Sequence, residues 1–315
     1  MTVAVLGEAL IDMIADGAGS YSAHLGGSPF NVAIALARQG TNVCYLSPLS
    51  DDNFGDQLQR ALSEEKVATP VKRRSRWPTS IAMVTIDAQG QASYRLYREG
   101  VADKDTSVEE VIENLPDDIT LFHSGSLALT PSQLPRIKGI FSYLRERGVP
   151  ISIDLNIRER ASYDLEKYLQ GVRSLLPLVD IVKASDEDLD VFALSDDPQT
   201  TGKRFHQEME GGLLVLTRGQ HGASVFSGSD VITAPAYPVT TLADTVGAGD
   251  TFHAAFLSSL LLQGALSSGA KDWDSAGLVE AINFAGAAAA INVSREGCSP
   301  PTRDEVVDLL GRTHP

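Results

Sequence analysis

Residues 119–156 read ITLFHSGSLALTPSQLPRIKGIFSYLRERGVPISIDLN, and their periodicity decides the fold. ITLFHSG is a short apolar run ended by a glycine, the pattern of a buried strand. SQLPRIKGIFSYLRERG is helical, and VPISIDLN returns to strand. The unit repeats downstream: YDLEKYLQGVRSLL is a helix, VDIVKAS a strand, and LLVLTRG another strand after further helix. It also extends upstream. TVAVLG and NVCYLSPLS are buried strands, and between them GGSPFNVAIALARQG is a helix. Ser28 caps that helix, Pro29 suits its first position, and Gly40 ends it. In DDNFGDQLQRALSEEKV, Phe54, Leu58, Ala61, Leu62 and Val67 fall near a 3.6-residue period. Strands alternating with helices specify an α/β fold: a mainly parallel, doubly wound sheet flanked by helices. ASVFSGSDVITAPA adds an antiparallel hairpin, and three helices close the chain: GAGDTFHAAFLSSLLLQG, DSAGLVEAINFAGAAAAINVS and TRDEVVDLLG.

One stretch breaks the alternation. TSIAMVTIDAQGQASYRLYRE, residues 79–99, reads as two strands joined at DAQG. Tyr94, Leu96 and Arg98 fall on one face of the second strand, Arg95 and Tyr97 on the other. Polar and aromatic residues on both faces do not suit a buried central sheet, so this pair is expected to form a small β-lid. No repeat, low-complexity tract or linker interrupts the chain. A single domain over 1–315 is expected, with lid segments at about 12–28 and 78–100.

Of 315 residues, 43% are hydrophobic and 21% charged, and the net charge is -15. Nucleic acid and anionic membranes need a basic face, so neither is an expected partner. The run Lys72, Arg73, Arg74, Arg76 reads as a solvated loop. Cys44 and Cys298 are too few for a disulfide framework and are expected as free thiols. The N-terminal stretch carries Glu8, Asp12 and Asp16 and no basic region, unlike a signal peptide. AINFAGAAAAINV is the nearest approach to a membrane span, but it falls short of the ~20 apolar residues needed. A cytoplasmic protein is expected.

In a doubly wound sheet, ligands bind beyond the carboxyl ends of the strands. Polar and glycine residues gather at those ends: Gly7, Glu8 and Asp12; SGSLAL; Asp154, Asn156 and Arg158; Ser185, Asp186 and Asp188; Thr217, Gly219 and Gly222. Turn or cap chemistry accounts for any one of them; their accumulation favours a site. The stretch TLADTVGAGDTFHAAF, residues 241–256, adds chemistry. Backbone N–H groups around Gly247, Ala248 and Gly249 can converge, and the helix starting there adds unpaired donors and the positive end of its dipole. The result is an anion hole. Asp250 either complements that dipole or takes a proton from a hydroxyl attacking a phosphoryl group.

Other motifs are missing. Gly202-Lys203 is followed by Arg204, so there is no P-loop. No G-x-G-x-x-G follows the first strand, and no H-E-x-x-H occurs. The six histidines are scattered, and His123 and His253 read as packed residues.

Together these residues resemble the ribokinase-like, PfkB-type carbohydrate kinase family, and within it the fructokinases of bacteria and plants. The resemblance runs through GEALIDMI, GGSPFNVAIALARQG, FHSGSLAL, IDLNIRE, VKASDEDL, LTRGQHGASVF, DTVGAGDTFHAAF and PPTRDEV. It implies phosphorylation of a sugar, D-fructose to fructose 6-phosphate, by ATP with Mg²⁺. Asp12, Gly26, Gly27 and Asn31 would shape the sugar pocket, and one of Arg95 and Arg98 would reach the substrate from the lid. Asp154, Asn156 and Arg158 would line the cleft near the phosphates, with Arg158 touching the transferring group. Ser185, Thr217, Gly219 and Gly222 would hold the nucleotide; Gly247, Ala248 and Gly249 would be the anion hole and Asp250 the base.

The sequence departs from the family in two places. Its N-x-x-E motif reads Ser185-Asp186-Glu187-Asp188 here, so Asp188 would hold Mg²⁺ through water from a side chain one methylene shorter. Gly286 stands where relatives often have asparagine near the base; Asn283 substitutes if the helix phase allows. A monovalent-cation loop for K⁺ would use Asp244 and carbonyls near Val246 and Gly297. The alternatives are 2-keto-3-deoxygluconate, ribose or a nucleoside as acceptor, a non-catalytic sugar or nucleotide sensor, and a dinucleotide oxidoreductase. The lid's strand edges suggest a homodimer.

Overall fold

Six strands of the main sheet run parallel, because the connections between successive ones carry the chain back to the same end of the sheet. The computed structural model describes residues 1–16, 19–86, 92–195, 197–266 and 273–313. The parallel strands are β1 (Thr2–Val5), β4 (Asn42–Tyr45), β7 (Ile119–Gly125), β8 (Ile151–Asp154), β9 (Ile181–Ser185) and β10 (Leu213–Thr217). The antiparallel β11 (Ala223–Ser227) and β12 (Asp230–Ala234) extend one edge, giving the order β12-β11-β10-β9-β8-β7-β1-β4. From β1 the chain goes to β4 on one side and then to β7 on the other. The order therefore reverses at β1, and a crevice opens there.

Helices cover both faces, as the period-2 burial of the strands requires. Val3 and Val5 of β1, and Leu213 and Val215 of β10, belong to one apolar core; Ala4, Leu214 and Leu216 belong to the other. The first core takes α1 (Ser28–Arg38), α2 (Asn53–Glu64), α8 (Ala248–Leu262), α9 (Ser275–Val293) and α10 (Arg303–Thr313). The second takes α3 (Val108–Glu113), α4 (Leu134–Glu146), α5 (Leu165–Arg173), α6 (Asp186–Asp190) and α7 (Pro198–Gln207).

The helix α9, capped by Asp274, is longer than its apolar run suggests: its 19 residues suffice by length and composition to cross a membrane. Here it packs against α8, with Ala281, Ala285 and Ala288 buried in the core. His123 and His253 are core residues, as expected. Ser152 bonds both rings, at 3.3 and 2.8 Å, and burial pushes His123 down to about 3, so it stays neutral. Both cysteines are free. The basic run is tied down: Arg73 pairs with Asp105 and Glu110, and Arg74 with Asp56.

The lid is a four-stranded sheet that draws on both expected segments. It comprises β2 (Leu10–Ala15), β3 (Tyr21–Gly26), β5 (Ser80–Ile86) and β6 (Ala92–Tyr97), in the order β3-β2-β5-β6. The expected hairpin is β5–β6; its joint at DAQG lies outside the described residues.

Candidate active site

An open cleft of about 1290 Å³ lies between the lid and the carboxyl ends of the parallel strands. Five of the six parallel strands contribute the residues just beyond their ends: Glu8 after β1, Ser126 after β7, Asn156 and Arg158 after β8, Asp186 after β9, Gly219 after β10. Two of these, Ser126 (φ 51°) and Asn156 (φ 37°), hold a left-handed backbone that non-glycine residues rarely adopt. Such strain concentrates at functional sites. The lid roofs the cleft with alternate residues, Leu10, Asp12 and Ile14 from β2, Ala82 and Val84 from β5, Tyr94 and Leu96 from β6. Period 2 puts each set on one face. Asp12 is half-buried, and a side chain on Gly26 would place its Cβ 2.3 Å from Asp12 Oδ2. Glycine at 26 thus leaves room for the carboxylate, whose pKa burial pushes up.

The start of α8 forms part of the cleft wall. Gly247 is its N-cap at φ 72°, a left-handed turn that glycine allows, and a Cβ there would lie 2.2 Å from Cys298 Sγ. Gly247, Ala248 and Gly249 line the cleft, and Asp250 is next in the chain, 7% exposed. Ser28 Oγ donates to Asp250 Oδ1 (2.7 Å) and Asn31 Nδ2 to Oδ2 (2.8 Å). Burial pushes the Asp250 carboxyl up; these two bonds and the charges of Lys183 and Arg158 hold it down. Ser28 is therefore not the expected cap: Gly27 occupies the N-cap of α1, and the Ser28 hydroxyl serves Asp250.

The cleft gathers Asp12, Gly26, Gly27, Asn31, Asp154, Asn156, Arg158, Ser185, Asp188, Thr217, Gly219, Asp244 and the 247–250 turn. A buried cation that sequence reasoning misses joins them. Lys183 of β9 donates to both oxygens of Asp154 on β8, at 2.9 and 2.8 Å. Its Nζ sits 3.2 Å from where a Cβ on Gly249 would lie, beside the Gly247–Gly249 turn. Burial pushes Asp154 up to about 6 despite that partner. The signal is a lysine inside an otherwise apolar strand, since lysine is almost never buried unpaired.

The sequence matches the family model of pfkB family carbohydrate kinases over residues 2–305. The chain belongs to that family. A fructokinase of Rhizobium leguminosarum bv. trifolii is 34% identical over 265 residues, 83% of this chain and 80% of that protein. Fructokinase-1 of Zea mays is 31% identical over 322 residues, 98% of this chain and 97% of that one. The crystal structure of a Xylella fastidiosa fructokinase with bound ATP matches with a TM-score of 0.87 at 28% identity, covering 100% of this chain and 99% of that one. As a pfkB carbohydrate kinase, the protein phosphorylates a sugar at the expense of ATP.

Four expected site residues of this pfkB kinase stand outside the cleft lining, and two within it, Asp188 and Asp244, spend their oxygens on the protein. Arg95 is exposed on the β6 face turned away from the cleft. Arg98 lies past the end of β6, where strand alternation no longer applies; it is buried against Asp103 (2.6 Å) and Ser80 (3.0 Å). Neither lid arginine lines the cleft. Gly222 packs behind the sheet edge, where a Cβ would meet Ala234 O at 2.1 Å. Asn283 is exposed on α9 and donates to Val279 O, so the helix phase does not bring it to the cleft. Asp188 spends its oxygens on the loop: Oδ1 accepts from Ile157 N, and Oδ2 from Ser185 N and Oγ in a capping box. Asp244 bridges two loops, accepting from Val246 N (3.0 Å) and Gly297 N (2.9 Å).

Proposed function

We propose that this kinase is a fructokinase that moves the γ-phosphoryl group of ATP onto the 6-hydroxyl of D-fructose. The observation that carries the transfer chemistry is Asp250: a buried, doubly hydrogen-bonded carboxylate beside the Gly247–Gly249 turn, facing a cleft that Asp12 lines. A carboxylate there would repel a bound phosphate, so a pure binder gains nothing from it. As a base it takes the proton of the attacking hydroxyl, while the N–H groups of 247–249 and the α8 terminus oppose the phosphoryl charge. The lid excludes water that would otherwise accept the phosphoryl group.

Mg²⁺ supplies charge neutralisation on the phosphates when bound with ATP. Among the described residues, no group of three or more His, Cys, Asp or Glu is placed to hold a metal. That fits an ion held mainly by phosphates and water. Asp186 and Glu187, on the cleft wall, are the carboxylates that would hold it through water.

Fructose as acceptor is supported by the two fructokinase relatives and by the stretches FHSGSLAL and GGSPFNVA. A coupled ADP-release assay over fructose, 2-keto-3-deoxygluconate, ribose and a nucleoside should give fructose the highest kcat/KM. A much higher value for 2-keto-3-deoxygluconate would reject the acceptor and leave the kinase standing.

The lid also motivates a homodimer. Its outer strands β3 and β6 are sheet edges, and Tyr21, Tyr94 and Tyr97 are exposed along them. A dimeric mass by light scattering at assay concentration is expected; a monomeric mass rejects the pairing.

A further inference from the structure

Glu8 lies just beyond β1 at the point where the strand order reverses, and it lines the cleft on the lid side. Its side chain is 1% exposed, yet Oε2 has no hydrogen-bond partner. A buried carboxylate oxygen without a partner is costly, because it has given up water for nothing. The Arg98 charge, the Ser126 hydroxyl and the Glu8 backbone hold the carboxyl's pKa down in part, but none of them bonds Oε2. Arg98 directs Nη1 and Nη2 at Asp103 and Ser80, and the Tyr45 hydroxyl donates to Gly7 O. Asp103 is a second buried carboxylate on the same side. Burial accordingly pushes the Glu8 carboxyl up to about 7.

The cleft that Glu8 lines is the open space from which a partner can reach it. Glu8, Leu10 and Asp12 all line it, so two carboxyl groups flank one leucine on the lid side. We propose that Glu8 is an acceptor-binding residue, with its unpartnered oxygen hydrogen-bonding a hydroxyl of the sugar. A hydroxyl suits the site because it donates to a carboxylate and accepts from a carboxylic acid. An acceptor presenting a carboxylate at that depth would meet Glu8 and Asp12 together, so the pair selects a neutral polyol over a sugar acid. This inference rests on the sugar-kinase reading with fructose as acceptor.

Two roles for Glu8 predict opposite results. If it binds sugar, Glu8→Gln should raise the KM for fructose by about fivefold, because the amide oxygen still accepts the hydroxyl but without the charge that strengthens the bond. The KM for ATP should stay within about twofold, the melting temperature of the free protein should hold or rise, and the thermal shift given by saturating fructose should shrink. If Glu8 merely balances Arg98, the same variant should melt lower with its fructose KM unchanged, and that result overturns the proposal. An unchanged fructose KM with unchanged melting overturns it as well. Should Glu8→Gln fail to fold, Glu8→Asp keeps the charge for Arg98 and withdraws the oxygen by one methylene. A fructose KM equal to wild type in that variant overturns the proposal. A wild-type enzyme that phosphorylates other sugars but not fructose overturns the acceptor assignment and this inference with it.

Discussion

Asp250→Asn is expected to lower kcat by about two orders of magnitude or more, the contribution typical of a positioned general base. The fold should survive the change, because asparagine fits the existing bonds. Its amide oxygen can accept from Asn31 Nδ2, and its amide nitrogen can donate to Ser28 Oγ. The folded state holds the Asp250 carboxyl above its ordinary pKa, so it favours the protonated form. Carrying the charge at neutral pH therefore costs stability, and a neutral amide escapes that cost. The melting temperature should be equal or higher, and ATP affinity equal or tighter once a repulsive charge is gone. A role limited to complementing the helix dipole predicts the reverse: about 0.3–1 kcal/mol less stability with near-normal turnover. Single-turnover kinetics and a melting curve on the same variant separate the two, and turnover within a fewfold of wild type sinks the base assignment.

The main sheet is legible in the sequence because burial on both faces forces near-continuous apolar runs such as TVAV and LLVLT, each followed by polar or glycine residues that mark the ligand rim. The lid is only half legible. Strand β3 is exposed through Tyr21, Ser22, Ala23 and His24, so no burial pattern marks it in the sequence. Alternation gives the right phase for β6, since Tyr94 and Leu96 share the cleft face while Arg95 and Tyr97 turn away. Extending that phase one residue further misplaces Arg98, because the strand ends at Tyr97 and a buried ion pair with Asp103 takes over. Ser28 and Lys183 share a different difficulty. Each has an ordinary local explanation, a helix cap or a strand residue. Their partners lie 222 and 29 residues away in the chain, and only the fold reveals them.

Lys183 gives the second large effect. Its ammonium is the buried positive charge among Asp154, Asp188 and Asp250, and all three carboxylates raise its pKa. Lys183→Met keeps most of the stem and removes the charge, with two separable consequences. The first is structural: Asp154 loses its partner inside the protein. Breaking a buried pair costs about 3–5 kcal/mol if the survivor stays charged. Asp154, already pushed up to about 6, would rise further and protonate, which limits the loss. The raised folded pKa sets the sign: the deficit should be largest at alkaline pH and should narrow as the medium is acidified towards the ordinary carboxylate range. The second consequence is chemical. The Lys183 charge holds the Asp250 pKa down and sits beside Gly249, so its loss should move the acid limb of kcat to higher pH and weaken the anion hole. A fall of about 10²-fold in kcat/KM is expected, the scale for removing one preorganised group that opposes transition-state charge. Lys183→Met combined with Asp154→Asn tells the two apart. Removing the orphaned carboxyl should restore the melting temperature but not turnover. If the double variant recovers both, Lys183 is a structural counter-ion and the anion hole works without it.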